Sequence, residues 1–120
     1  MKRNNIKDKT FSFAVRIVKL YKYLSENQKE YVLSKQLLRS GTSVGANVRE
    51  AENGESTKDF IHKMAIAQKE INETIYWLEL LKETEYLSYS QFESIYNDAI
   101  EIIKILTTII KNTKINLSNN

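Results

Sequence analysis

The chain has 120 residues, no cysteine, no proline, three glycines, one histidine and a formal net charge of +3. That length suits one domain with a single core, and the missing cysteine excludes a disulfide, a thiolate metal site and a cysteine nucleophile. Abundant Leu, Ile, Glu, Lys and Asn without proline favour long uninterrupted helices, so an all-α class is expected.

The charge is uneven. Residues 1–35 hold nine Lys or Arg against three acids, and residues 36–100 hold six against eleven, so the front of the chain is basic. Residues 1–9, with Lys2, Arg3, Lys7 and Lys9, read as a flexible basic arm. A first helix is expected from about Thr10, because Phe13, Ala14, Ile17, Val18, Tyr21 and Leu24 recur at helical spacing. Arg16, Lys19, Lys22 and Tyr23 fall outside that seam. They form a basic, aromatic outer face, suited either to plain solvation or to phosphate contact with stacking on Tyr23.

The polar break Ser25 to Lys29 is short, so a second helix should fold back antiparallel on the first. It occupies Leu33 to Gly54. Leu33, Leu37, Val44, Val48 and Ala51 make one stripe, and Gln36, Ser40, Ser43, Asn47 and Glu50 make a polar stripe beside it. That polar stripe is expected to be buried between helices or subunits in a hydrogen-bonded network. Gly41 and Gly45 should cost about 1 kcal/mol each against alanine, and close approach of another backbone would repay that cost. Lys35, Arg39, Thr42 and Arg49 share a further stripe, which makes Lys35, Arg39 and Arg49 phosphate-contact candidates. Ion pairing with Glu50, Glu52 or a neighbouring subunit is the competing role for Arg39 and Arg49.

Asn53-Gly54 followed by Ser56 and Asp59 reads as a stop and then a capping box, opening a third helix to about Thr84. Its seam is Phe60, Met64, Ala67, Ile71, Ile75, Leu78 and Leu81. Ser90 and Glu93 repeat the spacing before a fourth helix with the seam Phe92, Ile95, Tyr96, Ala99, Ile102, Ile103, Leu106 and Ile110. The bundle is expected over residues 10–112, with 113–120 a flexible tail. Trp77, Leu80, Ile100 and Ile105 lie off these seams and are expected at an oligomer interface, since burying each is worth roughly 1.5–3 kcal/mol.

No site for chemistry emerges. The lone histidine, His62, has no triad partners, and Asp59-Phe60-Ile61-His62 lacks both the right acid and the second copy that a di-iron bundle needs. Gly41 to Gly45 has no Gly-Lys-Ser/Thr ending and follows no strand, so it is no phosphate loop. Glu70 and Glu73 beside Lys69 read as solvated or salt-bridged. No catalytic residue, metal, cofactor or small-molecule substrate is therefore assigned. No apolar run follows Met1-Lys2-Arg3 and none reaches about 18 residues, so a cytoplasmic protein without membrane span or signal peptide is expected.

Arg39-Ser40, Thr42-Ser43-Val44-Gly45-Ala46-Asn47, Asp59-Phe60, Glu73-Thr74 and Trp77-Leu78 together carry a resemblance. Over residues 10 to 112 the chain resembles the four helix bundle proteins related to those encoded in intervening sequences of bacterial 23S ribosomal RNA. Where many members read Asn-Ile-Ala-Glu-Gly, this chain has Asn47-Val48-Arg49-Glu50-Ala51, as in a sub-branch. The resemblance implies an antiparallel up-and-down bundle assembling as a ring, commonly a homopentamer, with no established enzymatic activity. It also implies a link to nucleic acid, through genomic position and through basic relatives that assist a diversity-generating reverse transcriptase. Two functional classes follow: an oligomeric RNA- or DNA-binding accessory protein, or a structural and protein-interaction module.

Overall fold

The computed structural model describes the backbone of residues 2–119 and the side chains of residues 5–119. Four helices follow one another: α1 (Lys2–Glu26), α2 (Leu33–Glu52), α3 (Thr57–Glu83) and α4 (Tyr89–Asn119). Among the described residues there is no strand. The isoleucine-rich last segment is helical because its apolar residues recur every three or four positions and bury one face, Phe92, Ile95, Ala99, Ile102, Leu106 and Ile110.

Each helix packs on two others, α1 on α2 and α4, and α3 on α2 and α4. Numbers rise along one helix as they fall along its neighbour: Lys9 pairs with Glu101 and Arg16 with Asp98, while Arg39 pairs with Glu73 and Glu50 with Lys63. The molecule is a rod of 52 × 22 × 22 Å. Its axis is filled by one layer after another of fully buried side chains, among them Ile6, Phe13, Ile17 and Leu24 of α1, Leu37 and Val44 of α2, Met64, Ile71 and Leu78 of α3, and Leu106 of α4.

Both expected chain ends are corrected. The first helix begins at Lys2 rather than near Thr10, so the segment read as a flexible arm is helical from Lys2. Ile6 extends the seam two turns before Phe13 and is completely buried, with Thr10 between them satisfied by the Ile6 carbonyl at 2.9 Å. At the other end α4 continues to Asn119, past its last buried residue, Ile110. Periodicity marks where packing ends, and the helical hydrogen bonds run on beyond that point.

Three local devices set the connections. Ser56 caps α3 as expected, its Oγ accepting the Asp59 amide at 3.1 Å. The cap of α4 lies two residues before the expected Ser90–Glu93 pair. Ser88 Oγ accepts the Gln91 amide at 3.1 Å, while Gln91 Oε1 accepts the Ser88 amide at 2.9 Å, a full capping box. Glu93 instead accepts the Tyr89 hydroxyl, which raises that hydroxyl's pKa through the hydrogen bond and the neighbouring charge. For α2, the N-cap residue Val32 offers no side-chain acceptor, and Glu30 supplies one from outside the helix. Its carboxylate accepts the amides of Val32, Leu33 and Ser34 at 3.1, 2.9 and 2.7 Å. Burial favours the neutral acid, but those three donors outweigh it and hold the Glu30 pKa below the ordinary range.

Candidate nucleic-acid interface

The candidate residues divide among three surfaces. On the α1–α2 side, the register is set by the two glycines. A Cβ at Gly45 would stand 3.2 Å from the Thr10 carbonyl oxygen, so the expected approach of another backbone is made there by α1, whereas at Gly41 it is the Ile17 side chain that a Cβ would meet, at 2.7 Å. With Ile17 beside Gly41 and Thr10 beside Gly45, Lys22 of α1 comes level with Lys35 near the start of α2. Both are exposed, and neither has an ion-pair partner among the described residues. Arg49, at the far end of the same face, lies over the Phe11 ring at 5.2 Å. Phe11, Val15 and Val18 form an exposed apolar strip on this side of α1.

On the α1–α4 side, Lys19 and Tyr23 line a groove with Arg16, Leu20, Gln91, Ser94 and Ile95. Lys19 is exposed and unpaired among the described residues, whereas Arg16 is committed to Asp98 and to Ser94, whose Oγ it reaches at 2.8 Å. Tyr23 is half-buried against the core, and its hydroxyl oxygen accepts the Gln28 side-chain amide at 2.7 Å.

The α2–α3 side carries the polar stripe, and here the expectation of burial between helices of one chain is corrected. Only Ser40 is buried within the chain. Its Oγ accepts the Thr74 hydroxyl at 2.9 Å, the one hydrogen bond of the stripe that is fully enclosed between helices. Ser43 and Asn47 are half-buried and donate to carbonyls of their own helix, those of Arg39 and Ser43. Gln36 and Glu50 are exposed, Gln36 accepting from Arg39 and Glu50 pairing with Lys63 at 2.8 Å. The five span only about 80° of the helix circumference, but that arc is centred roughly 80–90° away from the buried apolar stripe, and only Ser40, the member nearest that stripe, is covered.

Arg39 lies on this side too, and the ion-pairing role describes it. It meets Glu70 and Glu73 of α3 rather than Glu50 or Glu52, and Trp77 donates its indole N–H to the same Glu73 carboxylate at 3.1 Å. The Glu70 and Glu73 carboxylates are thereby salt-bridged. Trp77, Leu80, Ile100 and Ile105, grouped from the sequence as one apolar patch, are all half-buried, and Trp77 and Ile105 already pack against the chain's own core. Ile100 and Ile105 are five residues apart, about 140° around a helix, so the four do not share a face.

Among the described residues no group of three His, Cys, Asp or Glu is placed to hold a metal ion, and no helix is long and apolar enough to cross a membrane. His62 is exposed on α3.

The sequence model of the 23S rRNA-intervening sequence protein family matches residues 2–108. The fold is similar to the 1.70 Å crystal structure of a protein with unknown function from the S23 ribosomal protein family, from Bacteroides thetaiotaomicron VPI-5482. The two are 63% identical with a TM-score of 0.91, over 92% of this chain and 99% of that one. No curated protein matches the chain.

Proposed function

The chain belongs to the 23S rRNA-intervening sequence protein family, and from that premise we propose that it is a non-enzymatic, antiparallel bundle that binds RNA or DNA and works as a ring of identical chains. One observation carries the nucleic-acid reading. Lys7, Lys19, Lys22, Lys29 and Lys35 are all exposed on α1, the loop after it and the start of α2, and none has an ion-pair partner among the described residues. Phosphate contacts from such lysines are individually weak, and a ring multiplies them. The helix pairings, Lys9 with Glu101 through Glu50 with Lys63, support the antiparallel arrangement.

Filter binding of RNA and DNA at two salt concentrations tests this reading. Retention that weakens steeply with salt is expected, and none at low salt would remove it. A second reading, a protein-interaction module, is favoured by the exposed strip of Phe11, Val15 and Val18, which could serve assembly alone. Light scattering separates the parts: a mass near the 14.0 kDa of one chain would exclude the ring under either reading.

A further inference from the structure

The groove between α1 and the first turns of α4 has a volume of about 460 Å³, within the range of small-ligand sites, and it combines chemically distinct walls. Leu20 and Ile95 give an apolar floor. Tyr23 presents a ring that is anchored twice, by packing on the core and by the Gln28 hydrogen bond to its oxygen, which leaves its O–H proton free to donate. Gln91 spends its Oε1 on the Ser88 amide and so keeps both Nε2 protons for a ligand. Arg16 is held in place by Ser94 and Asp98, and Lys19 stands at the rim with its charge uncompensated among the described residues.

A fixed aromatic ring over an apolar floor, amide and phenol donors at the edge and a cation at the mouth suit a planar heteroaromatic ring with acceptor edges, linked to a phosphate. We infer that this groove receives one unpaired base of a single-stranded nucleic acid, which stacks on Tyr23 while Lys19 meets an adjacent phosphate. In a duplex the base faces are already stacked and the base cannot enter a groove, so the site selects single strands. The inference rests on the nucleic-acid reading above and adds to it the strandedness of the ligand.

Fluorescence anisotropy with labelled oligo-U and oligo-dT against a duplex of equal length, at one salt concentration, tests it. Tighter binding of the single strands is expected, and the two probes distinguish RNA from DNA as the preferred source. Tyr23→Leu should weaken single-strand binding about 5- to 100-fold, the size of one lost base stack, and leave duplex binding unchanged. Tyr23→Phe keeps the ring but loses the phenol donor and the Gln28 anchor, so it should weaken single-strand binding less than Tyr23→Leu does. Gln91→Glu keeps the acceptor for the Ser88 amide but removes the donor and adds a negative charge, so it too should weaken single-strand binding, and it decides the matter should Tyr23→Leu lose helicity. Salt-dependent binding that ignores strandedness, or that survives both Tyr23→Leu and Gln91→Glu, would overturn the groove and leave the lysine reading standing. Absence of binding to every probe at low salt would overturn both.

Discussion

At Gly41 the α2 backbone lies so close to Ile17 of α1 that a Cβ there would stand 2.7 Å from Cγ1, 2.8 Å from Cγ2 and 2.9 Å from Cδ1 of that side chain. Ile17 is β-branched and completely buried, so it has no free rotamer into which to retreat. Gly41→Ala is therefore expected to destabilise by about 1–3 kcal/mol despite the better helix propensity of alanine. At Gly45 the added Cβ would meet the Thr10 carbonyl at 3.2 Å, where a shift of a few tenths of an ångström suffices. Gly45→Ala should cost less than Gly41→Ala, because the propensity gain is common to both and the overlap to be relieved at Gly45 is smaller. Urea denaturation of both variants checks this. In a cycle with Ile17→Ala, the Gly41→Ala penalty should shrink, since the two substitutions relieve one another.

Glu30 should make α2 acid-sensitive. Its pKa is lower in the folded chain than in the unfolded one, so its contribution is complete above the ordinary glutamate range and is lost as pH falls through that range and the lower folded value. Glu30→Ala should cost about 1–2 kcal/mol at neutral pH, as loss of a helix cap does. Stability measured against pH should be flatter on the acid side for Glu30→Gln than for the wild type. An unchanged acid limb would mean that other carboxylates govern it.

The polar stripe yields an unequal pair of substitutions. Thr74→Val removes the hydroxyl that Ser40 accepts in a closed interior, at an expected cost of about 1 kcal/mol or more. Asn47→Leu removes only a bond to its own helix at a half-buried position, so within one chain it should cost less than Thr74→Val. A larger loss for Asn47→Leu, accompanied by a fall in assembly mass, would place Asn47 in a contact between chains.

The α4 cap gives a direct contrast. Ser88→Ala should lower stability by about 1 kcal/mol, because one amide of the first turn loses its acceptor. Ser90→Ala should stay within about 0.5 kcal/mol of wild type. Thermal unfolding of the two variants distinguishes them.

Among the basic residues, salt dependence should sort free cations from paired ones. Lys22→Ala and Lys35→Ala are each expected to reduce the slope of log affinity against log salt by about 0.7–0.9, as removal of one phosphate contact does. Arg39→Ala should leave the slope nearly unchanged, since its guanidinium is already occupied by Glu70 and Glu73. Equal effects from all three would show that Arg39 exchanges its carboxylates for phosphate.

The number of helices, their seams and the cap at Ser56 were legible because they depend on neighbours three or four residues away, a distance over which the helix itself imposes the geometry. The all-α class and the small-residue approach at Gly41 and Gly45 follow from the same local rules. Partnership across helices was not legible. Arg39 finds Glu70 and Glu73, which lie 31 and 34 residues along the chain, only after the register of α2 on α3 exists, and that register is set by the packing of Leu37, Val44, Ile71 and Leu78. Whether Ser88 or Ser90 caps α4 also depended on the tertiary structure, because Leu87 is drawn into the core and places the chain reversal before Ser88. The same holds for the groove at Tyr23. Its ring and Gln91 belong to different helices, and only the packing of α1 on α4 brings them to one cavity.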